Sequence, residues 1–220
     1  MSSPYSVLIA GGGPVGWACA LAARSALGRA QRIAVIEPQS APAATRSGQL
    51  SARVYTVATG NLDWLRGLGV VFDADRMAAV TDIVVQGRDG RESLHVRADE
   101  AGCAELAQVI EHDALSAAIA SRARETGVEL IAGECVGVHA ETDAVLAELS
   151  DRRLLGARLL IAADGVKSAV REAAGLSATP HAYAQSGVVA NFSTDAPHRG
   201  VARQWFLQDG SILALLPLAA

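Results

Sequence analysis

Apolar residues along this chain fall first into runs of strand length and helical spacing, and later into shorter runs separated by turn signals. Ser6–Ala10 is a short apolar run, Pro14–Leu27 a longer alanine-rich one, and Arg32–Ile36 a second short one. Together they predict a βαβ unit on a parallel sheet. Gln39–Leu50 has turn and cap residues and no apolar period, so it reads as loop. Arg53–Val57 is expected to be a short strand, and Gly60–Leu68 a helix ended by Gly69. Thr81–Arg88 and Arg91–Arg97 flank Asp89-Gly90, a hairpin signal. Asp113–Glu125 places Leu115, Ala118, Ile119 and Ala123 at helical spacing, with Gly127 as its stop.

Val128–Ala132, Val136–Ala140 and Ala144–Leu149 then predict β structure of meander type. Arg158–Ala162 is an apolar strand running into Asp164-Gly165, followed by a short helix, Lys167–Ala174, stopped at Gly175. From Tyr183 the pattern is antiparallel: Gly187–Phe192, Val201–Leu207, the turn Asp209-Gly210, and Ser211–Leu216. The hairpins separate two interleaved parts. Residues 1–80 and 99–180 are expected to form a nucleotide-binding domain, and 81–98 with 181–220 part of a β-sheet beside it.

Composition narrows the class. Half the residues are apolar and the net charge is −4, as in an ordinary globular domain. Lys167 is the only lysine and the arginines are scattered, so no basic stripe for nucleic acid exists. Cys19, Cys103 and Cys135 have no metal-ligand spacing and read as thiols in a reducing compartment. The uncharged run Val7–Ala23 is interrupted by Gly11–Gly13, Pro14 and Gly16 and lacks a basic leader, which favours a buried strand and helix over a membrane span or export signal. A cytoplasmic location is expected, with peripheral membrane contact left open.

The chemistry begins at Gly11-x-Gly13-x-x-Gly16, which lies between a strand and a helix. Gly11 permits a tight turn, Gly13 lets a pyrophosphate approach the backbone, and Gly16 lets helix and strand pack closely. Pro14 and Val15 complete the turn at the helix start, whose N–H groups favour phosphate. Glu37 ends the next apolar strand twenty-one residues past Gly16, where a carboxylate can accept hydrogen bonds from a ribose. The chain is therefore expected to bind an adenine dinucleotide. His95, His112, His181 and His198 lack metal-like spacing, and no serine sits in a G-x-S-x-G elbow, so neither a metal site nor a nucleophile is expected.

With Arg53, the segment Leu65-Arg66-Gly67-Leu68-Gly69, and Ala163-Asp164-Gly165-x-x-Ser168-x-x-Arg171, the chain resembles the flavin-dependent aromatic hydroxylases of the para-hydroxybenzoate hydroxylase type. Tyr183-x-Gln185, Pro197-His198, Ala202 through Phe206 and Leu215-Leu216-Pro217-Leu218 place it nearest the ubiquinone-biosynthesis hydroxylases. The resemblance implies an α/β fold: a Rossmann-like FAD-binding domain with a partial antiparallel β-sheet substrate domain. It implies FAD as cofactor, NADH or NADPH as transient reductant, and a small aromatic substrate. It puts Arg53 near the flavin pyrophosphate, Gln108 and Asp164-Gly165 near the ribityl chain, and the Val136 backbone near adenine. No residue is then needed as nucleophile or general base. Homo-oligomers or other ubiquinone-pathway proteins are the partners it suggests.

Family members continue past the position matching Ala220 into a Gly-Asp motif that contacts the flavin. On that ground these 220 residues are expected to make up only part of such an enzyme, binding FAD weakly and turning over poorly. Three alternatives stay open. One is a nicotinamide-dependent dehydrogenase using Gly11–Gly16, another an FAD-binding remnant of little activity, and the third a flavin reductase or halogenase of the same fold.

Overall fold

The computed structural model describes residues 5–38, 51–90, 92–181 and 183–219. The elements begin with β1 (Tyr5–Ala10), α1 (Pro14–Leu27), β2 (Ile33–Glu37), β3 (Val54–Ala58) and α2 (Thr59–Gly67). Next come β4 (Met77–Val80), β5 (Asp82–Gln86), β6 (Glu92–Arg97), β7 (Ala107–Glu111) and α3 (His112–Glu125). The chain continues with β8 (Glu129–Ala132), β9 (Cys135–Ala140), β10 (Val145–Leu149), β11 (Leu154–Ala162) and α4 (Ala169–Ala173), then β12 (Val201–Phe206) and β13 (Ile212–Leu215). They divide into two compact units, Met1–Arg46 with Leu68–Val71 and Leu115–Gly187, and Ser47–Gly67 with Phe72–Ala114 and Val188–Ala220.

The first unit is built on a six-stranded sheet of order β8-β2-β1-β11-β10-β9. β8, β2, β1 and β11 run parallel, and β11-β10-β9 is an antiparallel meander. The nine-residue β11 serves both, pairing with β10 through its first half and with β1 through its second. Leu8 and Ala10 of β1 and Ala34 and Ile36 of β2 pack with Cys135, Ala147, Leu149, Ala157 and Val170. Their neighbours Val7, Ile9, Ile33 and Val35 are buried as well and point to the opposite face. A parallel sheet covered on both faces needs such continuous apolar runs, and α1 meets β1 and β2 with Trp17, Ala20 and Leu21 buried. Arg24, also buried, donates to Gly28 O, Gln31 O and Gly127 O, tying the end of α1 to the turn after α3.

The second unit holds two sheets. β3-β7-β4 is antiparallel throughout, and β13-β12-β5-β6 is mixed, with β12 parallel to β5 and the other two pairings antiparallel. Val80, Ala107, Val109 and Ala202 form its core, with Val54, Ile83 and Leu218 packed against them. Glu111, at the end of β7, is buried and accepts from Ser51 N and from Arg76 Nη2 at 2.8 Å.

The βαβ start, the Asp89-Gly90 hairpin and the strand into Asp164 lie where the hydrophobic pattern puts them; of the three segments expected as a meander, β9 and β10 form one with β11, whereas β8 pairs parallel with β2 at the opposite edge of the sheet. The 81–97 hairpin joins β12 and stays out of the six-stranded sheet. Three further expectations need correcting. Gly187–Phe192 forms no strand: Val188, Val189 and Phe192 are exposed, and β-type composition is not enough where no neighbouring strand pairs with it. β4 and β7 are strands that the pattern missed, and both belong with β3 to the second unit. The strand expected from Arg158 starts at Leu154 because β10 pairs with its first half. Gln39–Leu50 lies outside the described residues.

Candidate functional site

The site of the first unit is set by how the carboxyl ends of β1, β2 and β11 meet the start of α1. Gly11 has φ +104°, and a Cβ there would lie 2.3 Å from Ala163 O. A Cβ on Gly16 would lie 1.9 Å from Gly11 O. These two glycines are therefore demanded by packing: the turn presses against the end of β11, and α1 presses against the turn. Ala163 N donates to Ala10 O at 2.7 Å and Gly11 N to Ile36 O at 2.9 Å, which locks the three strand ends together.

Gly13 is different. It is the N-cap of α1 in an ordinary extended conformation, and a Cβ there would meet nothing within 4 Å. Among the described residues no side chain caps this helix, and Pro14 occupies its first turn. An open approach to backbone N–H groups at a helix start suits a phosphate. Val15 is two-thirds exposed beside it.

Glu37 accepts a hydrogen bond from Gly12 N, and a Cβ on Gly12 would meet the Glu37 side chain at 2.8 Å. The strand-end acid is thus bonded directly to the glycine turn. Asp164 sits at the end of β11, with Oδ2 accepting from Val170 N at 3.1 Å. Its Oδ1 is buried and has no hydrogen-bond partner among the described residues. Ser168 caps α4 by accepting from Arg171 N, and the Arg171 guanidinium donates to Val166 O at 3.2 Å. Arg171 is a structural clasp of the Asp164 loop.

A cleft of about 190 Å³ brings Gly11, Glu37 and Asp164 together with Gly133, Glu134 and Lys167. A second, larger and more open cavity of about 550 Å³ is lined by Asp164, Gly165, Arg158, Arg171, Leu159 and Leu176 among others. Asp164 borders both. Cys135 also lines the first cleft, where burial pushes its thiol up, with the Asp164 charge adding to this against a hydrogen bond to Gly137. Val136 is nearly half exposed on β9, immediately after that cysteine.

Arg53 and Gln108 belong to the second unit. The Arg53 guanidinium lies 5.4 Å from the Tyr55 ring centroid, and Tyr55 Oη is 3.1 Å from His112 Nδ1. Gln108, in β7, donates to Glu105. The structure groups Gly11, Glu37 and Asp164 in one cleft and puts Gly13, Pro14, Val15 and Gly16 on its glycine turn. Gly133, Glu134, Cys135 and Lys167 are lining residues that sequence reasoning missed. Only Lys167 left a signal, as the one lysine of the chain, three residues past Asp164.

The site fits an adenine dinucleotide such as FAD on two observations: the open backbone at Gly13, and the buried, unpartnered Asp164 Oδ1, an acceptor suited to a hydroxyl donor. A family model described as "FAD binding domain" matches residues 4–219. Among curated proteins, ubiquinone hydroxylase UbiL of Rhodospirillum rubrum is 32% identical over 96% of this chain and 49% of its own length. The Escherichia coli 3-demethoxyubiquinol 3-hydroxylase is 29% identical over 99% of this chain and 55% of its own length. Mouse ubiquinone biosynthesis monooxygenase COQ6 is 29% identical over 98% and 48%. The chain thus spans about half the length of the curated relatives it matches. Among solved structures, PqsL of P. aeruginosa superposes with a TM-score of 0.78 at 17% identity, covering 99% of this chain and 59% of that one. The p-nitrophenol 4-monooxygenase PnpA of Pseudomonas putida gives 0.64 at 22% identity, over 80% and 45%.

Proposed function

Because the chain belongs to the FAD binding domain family, we propose that its protein is an FAD-dependent monooxygenase hydroxylating an aromatic ring, a ubiquinone-precursor phenol, with NAD(P)H and oxygen. The observation that carries this is the match of essentially the whole chain to a ubiquinone hydroxylase, a demethoxyubiquinol hydroxylase and a ubiquinone biosynthesis monooxygenase. When bound, FAD supplies the redox chemistry and the activation of oxygen.

The protein's part is to bind, orient and exclude water. The Gly11–Gly16 turn and the start of α1 would hold the diphosphate, Glu37 the adenosine ribose, and Asp164 with Gly165 the ribityl chain. The backbone at Val136 would border adenine, and the family resemblance gives Arg53 a role at the pyrophosphate and Gln108 one at the ribityl chain. The first unit would be the cofactor unit and the β13-β12-β5-β6 sheet part of the substrate unit. Water exclusion matters because a wet site diverts reducing equivalents from the ring to oxygen alone. Association with a membrane face or with other ubiquinone-pathway proteins belongs to the same reading.

The test is spectral and then chemical. Titration with FAD should show saturable binding in the flavin spectrum, weak for these 220 residues alone. NAD(P)H consumption should then rise on adding a phenolic ubiquinone precursor, with isotope from labelled dioxygen entering the ring. Tight binding of nicotinamide dinucleotide with no flavin spectrum would instead make the protein a dehydrogenase.

A further inference from the structure

We propose that Lys167 is the cation that secures the diphosphate of FAD in the cleft of the first unit, resting on the cofactor reading above. The chain has a single lysine, and it lines the cleft where the glycine turn, Glu37 and Asp164 meet. The same walls carry three carboxylates, Glu37, Glu134 and Asp164, and no other described lining residue is cationic. A diphosphate adds two more negative charges. Backbone N–H groups at the turn donate hydrogen bonds but carry no net charge, so a mobile ammonium is the natural counterweight to that repulsion.

The loop geometry puts the lysine in position. Ala163 and Asp164 lie against Gly11, as the 2.3 Å and 2.8 Å approaches of a Gly11 Cβ to Ala163 O and Asp164 N show. The loop then folds back through the bond from Val170 N to Asp164 Oδ2, which keeps Lys167 on the cleft side together with Ala169. Among the described residues Lys167 makes no hydrogen bond or ion pair, so ligand binding would not have to break one. The neighbouring cations are committed elsewhere. Arg153, which reaches Ala132 O next to Gly133, is paired with Asp151 at 2.7 Å, and Arg171 closes onto Val166 O. Lys167 is exposed, so its substitution leaves the fold intact.

The experiment compares wild type with Lys167→Gln, Lys167→Glu and Lys167→Arg by titrating FAD, ADP and adenosine at low and high salt. A charge contact of this exposure predicts Lys167→Gln weaker by roughly 5- to 20-fold for FAD and ADP, with adenosine unchanged. Lys167→Glu should be weaker still and Lys167→Arg within about threefold of wild type. High salt should narrow the difference, because screening weakens exposed charge contacts. An amine-selective acetylating reagent gives a readout free of mutation: ADP should slow acetylation of Lys167 several-fold and adenosine should not. Unchanged FAD and ADP affinity in Lys167→Gln, or a parallel loss for adenosine, would overturn the proposal. So would a loss confined to NADPH titrated onto FAD-loaded protein, which would give the lysine to the reductant. A wild-type chain that binds neither FAD nor ADP would overturn the cofactor reading itself.

Discussion

Gly13→Ala separates what the glycine turn does for the fold from what it does for a ligand. At Gly13 the backbone has φ −72° and ψ 176°, open to any residue, and an added Cβ meets nothing within 4 Å. Exchanging glycine for alanine at an N-cap costs roughly 0.5–1 kcal/mol. Reducing the freedom of the unfolded chain offsets this by roughly 0.4–1 kcal/mol. Stability should therefore stay within about 1 kcal/mol of wild type. Gly16→Ala is the contrast, since its Cβ would lie 1.9 Å from Gly11 O and 3.0 Å from Gly11 C, backbone atoms that cannot rotate away. That substitution should cost at least about 3 kcal/mol.

Binding should reverse the comparison. A methyl group at Gly13 stands where a diphosphate would approach the N–H groups of the first turn of α1. Losing one or two charge-assisted hydrogen bonds there costs roughly 2–4 kcal/mol, about 30- to 1,000-fold in Kd. Urea unfolding of the ligand-free protein gives the stability arm, and FAD titration followed by flavin fluorescence gives the binding arm. If Gly13→Ala binds FAD within twofold of wild type, the diphosphate does not lie on this turn. If it unfolds as easily as Gly16→Ala, the open space at Gly13 is not there.

Glu37→Ala should weaken FAD binding by roughly 1–3 kcal/mol, measured in the same titration, through the loss of charge-assisted hydrogen bonds to the ribose; unchanged affinity would make it a structural acid only. Arg76→Ala should lower the stability of the protein by about 2–4 kcal/mol in urea, because it leaves the Glu111 carboxylate buried without its cation. His112 is held below the ordinary histidine range by burial and by the Arg53 charge, against a smaller opposing pull from Asp113. The unfolded chain therefore takes up this proton more readily than the folded one, so the stability is complete above about pH 6.5 and declines as pH falls below it. His112→Gln should flatten that slope in thermal unfolding followed between neutral pH and pH 5.

The parts of the fold that rest on local pattern could be read from sequence, and the parts that rest on pairing could not. β1, α1 and β2 announce themselves because a sheet covered on both faces requires uninterrupted apolar runs, and the spaced glycines mark the tight turn from β1 into α1. Met77–Val80 and Ala107–Glu111 carry no turn signal on the sequence and become strands by pairing with each other, while β3 completes their sheet. Gly187–Phe192 shows the converse, apolar residues of β type that find no partner strand. The site divides in the same way. Gly11 and Glu37 stand at strand ends and could be picked out by spacing, and Asp164, past the end of β11, through the family resemblance. Gly133, Glu134 and Cys135 reach the cleft only because the chain between β8 and β9 passes beside Glu37, where Gly133 N donates to Glu37 O at 3.1 Å.

Gly12 joins two signals that look independent on paper. It is outside the spaced fingerprint, yet its N–H is bonded to the Glu37 carboxylate, and a Cβ would press on Glu37 Cγ, Cβ and Oε2 at 2.8–2.9 Å. The strand-end acid thus steadies the turn that, on the proposed reading, would meet the phosphates. Preorganisation of this kind lowers the ordering cost of binding. On the proposed reading the loss for Glu37→Ala would contain two parts: hydrogen bonds to a ribose, and the order of the turn itself. Gly12→Ala tests the placement of the acid, because it shifts the carboxylate and disturbs the turn while Glu37 itself stays in the chain. If its effect on FAD affinity approaches that of Glu37→Ala, positioning dominates. If ADP binding is nearly untouched, the acid works mainly by direct contact.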